Sequence, residues 1–119
     1  MHSVKVEAYF SAAHKLRNYK GKCESLHGHN WKVEVVVVRF KLDKAGMAMD
    51  FKALKTELKK VLERLDHSYL NSMAYFKKAN PTSENIAKYI YDTLRARIKD
   101  ISTVTVWESD NSAATYYGG

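Results

Sequence analysis

The chain has 119 residues, of which 45% are hydrophobic, and one cysteine, which is typical of one globular domain over residues 1–119 and excludes an intrachain disulfide. No apolar run approaches the roughly 20 residues that a membrane-spanning helix requires, and since no secretory signal is present we expect a cytoplasmic protein. The net charge of +7 fits a lysine-rich surface or a phosphorylated ligand, and because the lysines are dispersed we expect no nucleic-acid partner.

The first predicted elements are two strands. Apolar and polar side chains alternate over residues 4–12, and if this strand continues, His14 lies on its apolar face. A polar, basic loop follows, and residues 31–40 form a second strand that is rich in valine. His27 and His29 stand at its entrance. If the two strands pair as an antiparallel hairpin, all three histidines meet at one end.

The middle of the chain is predicted to be helical. Residues 50–65 place apolar side chains at helical spacing, and Asp50 is a candidate N-cap. A second helix begins after the only proline, with Thr82 or Ser83 as its N-cap. Glu84 in its first turn is favourably placed against the helix dipole.

The remaining segments complete the predicted fold. Residues 70–80 show no regular pattern, whereas residues 102–109 and 113–117 read as two strands joined by a turn at 110–112. The order ββααββ predicts an α+β fold, in which a four-stranded antiparallel sheet carries two helices on one face. Such a sheet exposes two edges, which other subunits often cover.

The histidines predict a metal site. Residues two apart in a strand face the same way, so His27 and His29 could bind one ion, and Gly28 between them allows a close approach of the backbone. With His14 as a third ligand, one position stays open, as in catalytic zinc sites. Each histidine alone is more often an ordinary polar residue, but their expected convergence favours the metal interpretation.

Three further positions could carry proton chemistry. Cys23 lies among lysines that favour its thiolate, and its spacing is compatible with a base or with a metal ligand. Asp66 and His67 could form an acid–base pair, although a histidine placed near a helix C-terminus for electrostatic reasons is slightly favoured.

Glu108 follows the apolar residues Val104 and Val106 on one face of the third predicted strand. A carboxylate there lies either in water at the edge of the sheet or against a ligand. A heterocycle with an amino group beside a ring N–H would offer it two donors in a row.

Together these residues resemble the 6-pyruvoyltetrahydropterin synthase/6-carboxytetrahydropterin synthase family over nearly the whole chain. The matching segments are residues 10–14, Cys23-x-x-x-His27-Gly28-His29-Asn30, and residues 49–51, 65–71, 80–85 and 108–110. The resemblance implies the tunnelling fold (T-fold), in which subunits join their sheets into a barrel, commonly as a hexamer of two stacked trimers.

The resemblance also implies roles for individual residues. It implies Zn²⁺ bound by His14, His27 and His29. It implies Cys23 as the base. It implies Asp66 and His67 as the companion pair for proton transfer. It implies an anchor for the pterin ring, Glu108, and a nearby pocket lined by Thr82, Ser83 and Glu84.

The implied substrate is 7,8-dihydroneopterin triphosphate. Three residues between Cys23 and His27 resemble the bacterial enzymes of queuosine biosynthesis, which release 6-carboxytetrahydropterin, acetaldehyde and triphosphate. The pyruvoyl-forming enzymes of animals have a longer spacing, and another branch carries glutamate in place of the cysteine. A basic loop is a candidate cradle for the triphosphate, through Lys15, Arg17, Lys20 and Lys22.

Two alternatives stay open. One is the 6-pyruvoyltetrahydropterin synthase reaction, which differs only in its product. The other is a non-catalytic module that binds a metal or a nucleic acid and uses the positive charge for that purpose.

Overall fold

A computed structural model describes residues 1–19 and 25–118. Along the chain the elements are β1 His2–His14, β2 His27–Arg39, α1 Phe51–Glu63, β3 Ser68–Tyr69, a 3₁₀ helix Leu70–Ser72, α2 Ala74–Lys78, α3 Ser83–Arg95, β4 Ile101–Ser109 and β5 Ser112–Tyr117.

The described strands form one sheet in the order β3-β1-β2-β4-β5. β1 and β2 pair antiparallel from His2 opposite Arg39 to His14 opposite His27, so the predicted hairpin is confirmed. β2 pairs antiparallel with β4, and β4 with β5. Both strands of the hairpin extend to the histidines, because the alternation of buried and exposed side chains continues to their ends.

The sheet has one strand more than predicted. β3 has two residues and runs parallel to β1 at Ala12 and Ala13. The segment predicted to be irregular contains the 3₁₀ helix and α2, which bury Leu70 and Phe76 completely. These elements are too short to show a period in the sequence, and packing of single apolar side chains holds them in place.

The helices cover one face of the sheet. In β1 and β2 the buried side chains alternate with more exposed ones, and Phe10 of β1 stacks on the fully buried Trp31 of β2. α1 packs on β1, and α3 packs on β4 and β5. The caps are Asp50, which accepts from the Lys52 N–H, and Thr82, which accepts from the Asn85 N–H. The α+β class is therefore confirmed.

The opposite face of the sheet is polar. Lys5 and Lys32 make ion pairs with Glu34, and the Trp107 indole N–H also donates to that carboxylate. Among the described helices, none has the length and apolar composition needed to cross a membrane.

Candidate metal centre

The three predicted histidines lie together on the helix-covered face. The register of β1 and β2 places His14 opposite His27 and Ala12 opposite His29. Because side chains alternate along a strand, all three rings point to the same side. Their centroids are 4.6 Å apart for His14 and His27, 4.6 Å for His27 and His29, and 5.3 Å for His14 and His29. The hairpin thus gathers the three rings at one end, as predicted.

A carboxylate joins this cluster from β4. Glu108 Oε1 lies 3.1 Å from Nε2 of His14 and 3.1 Å from Nε2 of His29. The Nε2 atoms of His14 and His27 are 3.1 Å apart. One ligand atom from each of His14, His27, His29 and Glu108 lies within 4.8 Å of the others. His14 is 1% exposed, whereas the Glu108 side chain is 35% exposed, so the centre is closed on the core side and open on the other.

The outer nitrogens of two rings fix how these rings face the centre. His14 Nδ1 donates to the Pro81 carbonyl and His27 Nδ1 donates to the Ser25 carbonyl, each at 2.7 Å. A carbonyl only accepts, so each Nδ1 carries a proton, and in the neutral ring the Nε2 lone pair then points into the cluster. Imidazole lone pairs and a carboxylate oxygen in one small space form the donor set that a divalent cation such as zinc prefers.

Asp66 and His67 lie on another part of the surface. Asp66 Oδ1 accepts from the Ser11 N–H at 2.8 Å, and the His67 N–H donates to the Ser11 carbonyl at 2.6 Å. The His67 ring, whose side chain is 83% exposed, pairs through Nδ1 with Asp66 Oδ2 at 3.0 Å. Both of these bonds go to the backbone of Ser11, so the pair lies at the edge of β1, next to β3.

The contacts of Asp66 hold the His67 ring in one orientation. The pKa of the Asp66 carboxyl lies below its ordinary value, chiefly because the Ser11 N–H donates to it; desolvation opposes this shift, and the His67 hydrogen bond adds to it. His67 has a φ of 56°, in the left-handed region that residues other than glycine rarely adopt. Such a conformation is commonly kept at functional positions.

The segment before α3 reaches the centre through its backbone. The Pro81 carbonyl binds His14, and the next residue, Thr82, caps α3. Ser83 is half-buried and Glu84 is exposed at the start of α3. The predicted pocket residues therefore directly follow Pro81, which contacts the centre. The Thr82 side chain forms the N-cap of α3.

The basic loop is described only in part. Cys23, Lys20 and Lys22 lie outside the described residues. Arg17 is half-buried, and its guanidinium donates to the Phe76 carbonyl at 2.6 Å. This bond holds the loop against α2 and uses part of the guanidinium. The sequence did not indicate this contact.

Two asparagines near the centre were missed by sequence reasoning. Asn71 and Asn80 bind the backbone of the chain just after His14. No local pattern marks such bonds, because they join residues that are more than fifty positions apart in the sequence.

Comparison with known proteins places the chain among pterin enzymes. Residues 3–119 match the family described as 6-pyruvoyl tetrahydropterin synthase. A 6-carboxy-5,6,7,8-tetrahydropterin synthase of Synechocystis sp. is 39% identical over 117 residues, covering 93% of this chain and 89% of the relative. A 6-pyruvoyl tetrahydrobiopterin synthase of Dictyostelium discoideum is 34% identical, covering 92% and 90%. The structure of Caenorhabditis elegans 6-pyruvoyl tetrahydropterin synthase matches with a TM-score of 0.88 at 32% identity, covering 99% of this chain and 96% of that one.

Proposed function

Because the chain belongs to the 6-pyruvoyl tetrahydropterin synthase family, we propose that it is a zinc-dependent 6-carboxy-5,6,7,8-tetrahydropterin synthase of queuosine biosynthesis. Its substrate would be 7,8-dihydroneopterin triphosphate, and its products 6-carboxytetrahydropterin, acetaldehyde and triphosphate. The observation that carries the proposal is the convergence of His14, His27, His29 and Glu108 on one point.

Two observations favour the carboxy-forming reaction. The Synechocystis relative, which is named for it, is 39% identical, against 36% for the putative pyruvoyl-forming relative of Caenorhabditis elegans and 34% for that of Dictyostelium. The three-residue spacing between Cys23 and His27 resembles the carboxy-forming branch. The pyruvoyl-forming reaction is the second candidate, because relatives of both names match the chain over similar lengths.

The metal would be held by His14, His27 and His29. When bound, zinc supplies a Lewis acid that polarises the hydroxyls of the substrate side chain. The Nδ1 bonds to the Pro81 and Ser25 carbonyls support this assignment, because in two of the neutral rings they select the tautomer whose Nε2 lone pair can bind a metal.

Glu108 is assigned to the pterin ring. Its two carboxylate oxygens can accept from the amino group and the adjacent ring N–H of the pterin. Its position beside the histidines would set the reacting side chain of the substrate next to the metal. Glu108→Gln should therefore raise KM while zinc stays bound; loss of zinc instead would make Glu108 a metal ligand.

Cys23 is proposed as the base that moves protons on the side-chain carbons, with His67 as its partner in proton transfer. Asp66 holds the His67 ring through Nδ1, which leaves the exposed Nε2 to give or take the proton. Since this pair lies at the β1 edge of the sheet, where another subunit can pair, we assign it to the site of a neighbouring subunit. Pairing of the sheet edges in a hexamer of two trimers would bring the Asp66–His67 pair of one subunit to the histidine centre of its neighbour.

The reaction needs no external redox cofactor. The pterin ring is reduced while the side-chain carbons are oxidised, and triphosphate leaves. Cleavage then adds water across the bond between the two side-chain carbonyl carbons, which yields the carboxylate and acetaldehyde. Lys15, Lys20 and Lys22 are proposed to bind the triphosphate; replacing Lys20 and Lys22 by alanine should raise KM, and unchanged kinetics would remove this assignment.

A product assay tests the proposal. The purified, zinc-loaded protein is incubated with 7,8-dihydroneopterin triphosphate, and pterins and aldehyde are identified by mass spectrometry. A 6-carboxypterin with acetaldehyde is the expected result. A 6-pyruvoyl product would move the chain to the other reaction with the same centre. No product from a folded, zinc-loaded sample would reject both reactions.

A further inference from the structure

Two asparagine side chains hold the backbone just after the first histidine. Asn71 Oδ1 accepts from the Lys15 N–H at 2.9 Å, and its Nδ2 donates to the Lys15 carbonyl at 2.7 Å. Asn80 makes the same two bonds with Arg17, at 2.9 and 2.8 Å. An amide carries a donor and an acceptor side by side. Each asparagine therefore makes the two backbone hydrogen bonds that a neighbouring strand would make, beyond the point where the pairing of β1 with β3 ends.

The second asparagine is also linked to the centre through the next residue. The Pro81 carbonyl accepts from Nδ1 of His14 at 2.7 Å, and His14 is 1% exposed. Three hydrogen bonds therefore join residues 80–81 to residues 14–17. On its other side the Asn80 carbonyl accepts from the Thr82 N–H and from Asn85 Nδ2, at 2.7 and 2.9 Å, which anchors the segment to α3.

We propose that Asn71 and Asn80 are positioning residues of the histidine centre. Asn80, which precedes Pro81, holds the chain after His14 at a fixed distance from the Pro81 carbonyl, and Asn71 fixes the residue next to His14. His14 Nδ1 therefore stays bonded to that carbonyl, and Nε2 is aimed at the other ligands. This inference rests on the proposed metal centre. Loss of either amide leaves a backbone N–H and carbonyl without their partner, and the chain beside His14 becomes free to shift.

A role in loop stability alone would look different. Asp43 is a matched control, because its Oδ1 accepts from the N–H groups of Ala45 and Met47 at 2.9 and 3.0 Å. Its turn follows the far end of β2, and thirteen residues of strand separate that end from the histidines by roughly 40 Å. Asp43→Ala therefore removes two comparable bonds without touching the centre.

The test compares wild type, Asn71→Ala, Asn80→Ala and Asp43→Ala as full chains. Zinc affinity is measured by competition with a chromophoric chelator. The tautomer of the neutral His14 ring in metal-free protein is read by long-range ¹H–¹⁵N NMR. We expect both asparagine variants to bind zinc about 10-fold more weakly, at the lower end of the range for direct partners of metal ligands, and to show a mixture of His14 tautomers. Asp43→Ala should match the wild type in both measurements.

Equal zinc affinity in the asparagine and Asp43 variants, with His14 still protonated on Nδ1, would reduce the asparagines to loop supports. A wild-type protein that binds no zinc, but whose His14 tautomer still changes in the variants, would reject the metal while leaving the positioning role. If Asn71→Ala and Asn80→Ala do not fold, Asn85→Ala is the milder variant, because it removes only one bond to the Asn80 carbonyl. It should weaken zinc binding less than they would, and unchanged binding and tautomer there would count against the inference.

Discussion

His14 and His27 are direct partners across β1 and β2, and the Nε2 atoms of their rings lie 3.1 Å apart. Both side chains come from one ladder of paired residues, so their separation is set by the sheet and not by a loop. A third ring, that of His29, is brought in by the period of two along β2. Because the register of the sheet sets this arrangement, binding of an ion requires little further ordering of the backbone.

Zinc should stabilise the folded protein, because the ion binds the assembled histidines and not the unfolded chain. At a free concentration of 1,000 times Kd the expected gain is about 4 kcal/mol. His27→Ala should abolish this gain, whereas His2→Ala, at the far end of the hairpin, should keep it. Melting temperatures measured with and without zinc check the prediction, and an equal rise in both variants would place the ion elsewhere.

Mixed assemblies test the shared active site. Cys23→Ala and His67→Ala should each lose most activity and still bind zinc, since general acid–base groups typically contribute 10²- to 10⁴-fold. If Cys23 of one subunit works with His67 of another, co-refolding the two variants should restore about a quarter of the sites under random mixing. Activity is assayed against unmixed variants treated alike. No recovery would mean that both groups act within one chain.

Asp66 should contribute to the acid sensitivity of the fold. Its pKa is depressed in the folded state, so its contribution to stability is present above the unfolded value, near 3.8, and is lost as the pH falls through the lower folded pKa. The melting temperature of Asp66→Asn should therefore fall less steeply than that of the wild type below this pH. Asp110→Asn, in the exposed turn between β4 and β5, is the control. Parallel curves for wild type and Asp66→Asn would contradict the expected linkage.

The core can be weakened without touching the centre. Leu58 of α1 is fully buried, and Leu58→Ala should lower the free energy of unfolding by about 2–5 kcal/mol. The neighbouring exposed Lys59→Ala should change it little. Urea unfolding at one protein concentration measures both. The zinc affinity of the folded Leu58→Ala protein should stay that of the wild type, and a parallel loss would show that the centre depends on core packing.

Much of the fold and of the centre follows from local patterns. Alternation in β1 and β2 predicts the hairpin, and the hairpin predicts that three histidines separated by up to fifteen positions converge. The family resemblance predicts the T-fold, which the likeness to the Caenorhabditis elegans structure confirms.

The features that sequence reasoning missed depend on tertiary contacts. β3 and α2 are too short for periodicity, and α2 is held by the burial of Phe76. The bonds of Asn71 and Asn80 to the backbone join distant segments, so no neighbouring residue predicts them. The proximity of Glu108 to the rings also needed the pairing of β4 with β2 to be known. The role of Cys23 stays a prediction.

The ladder that pairs His14 with His27 has a consequence for the history of such enzymes. His14 and His27, which flank the connection between β1 and β2, are paired in the sheet, and Arg17 and Ser25 are tied to its surroundings. Insertions or deletions between Arg17 and Ser25 therefore need not move the proposed metal ligands. Loops that connect fixed strands tolerate changes of length far better than the strands do. A change in the length of this connection could therefore move the proposed base, Cys23, while the three histidines keep their arrangement. The proposed base and the proposed metal ligands thus belong to parts of one hairpin that can change independently.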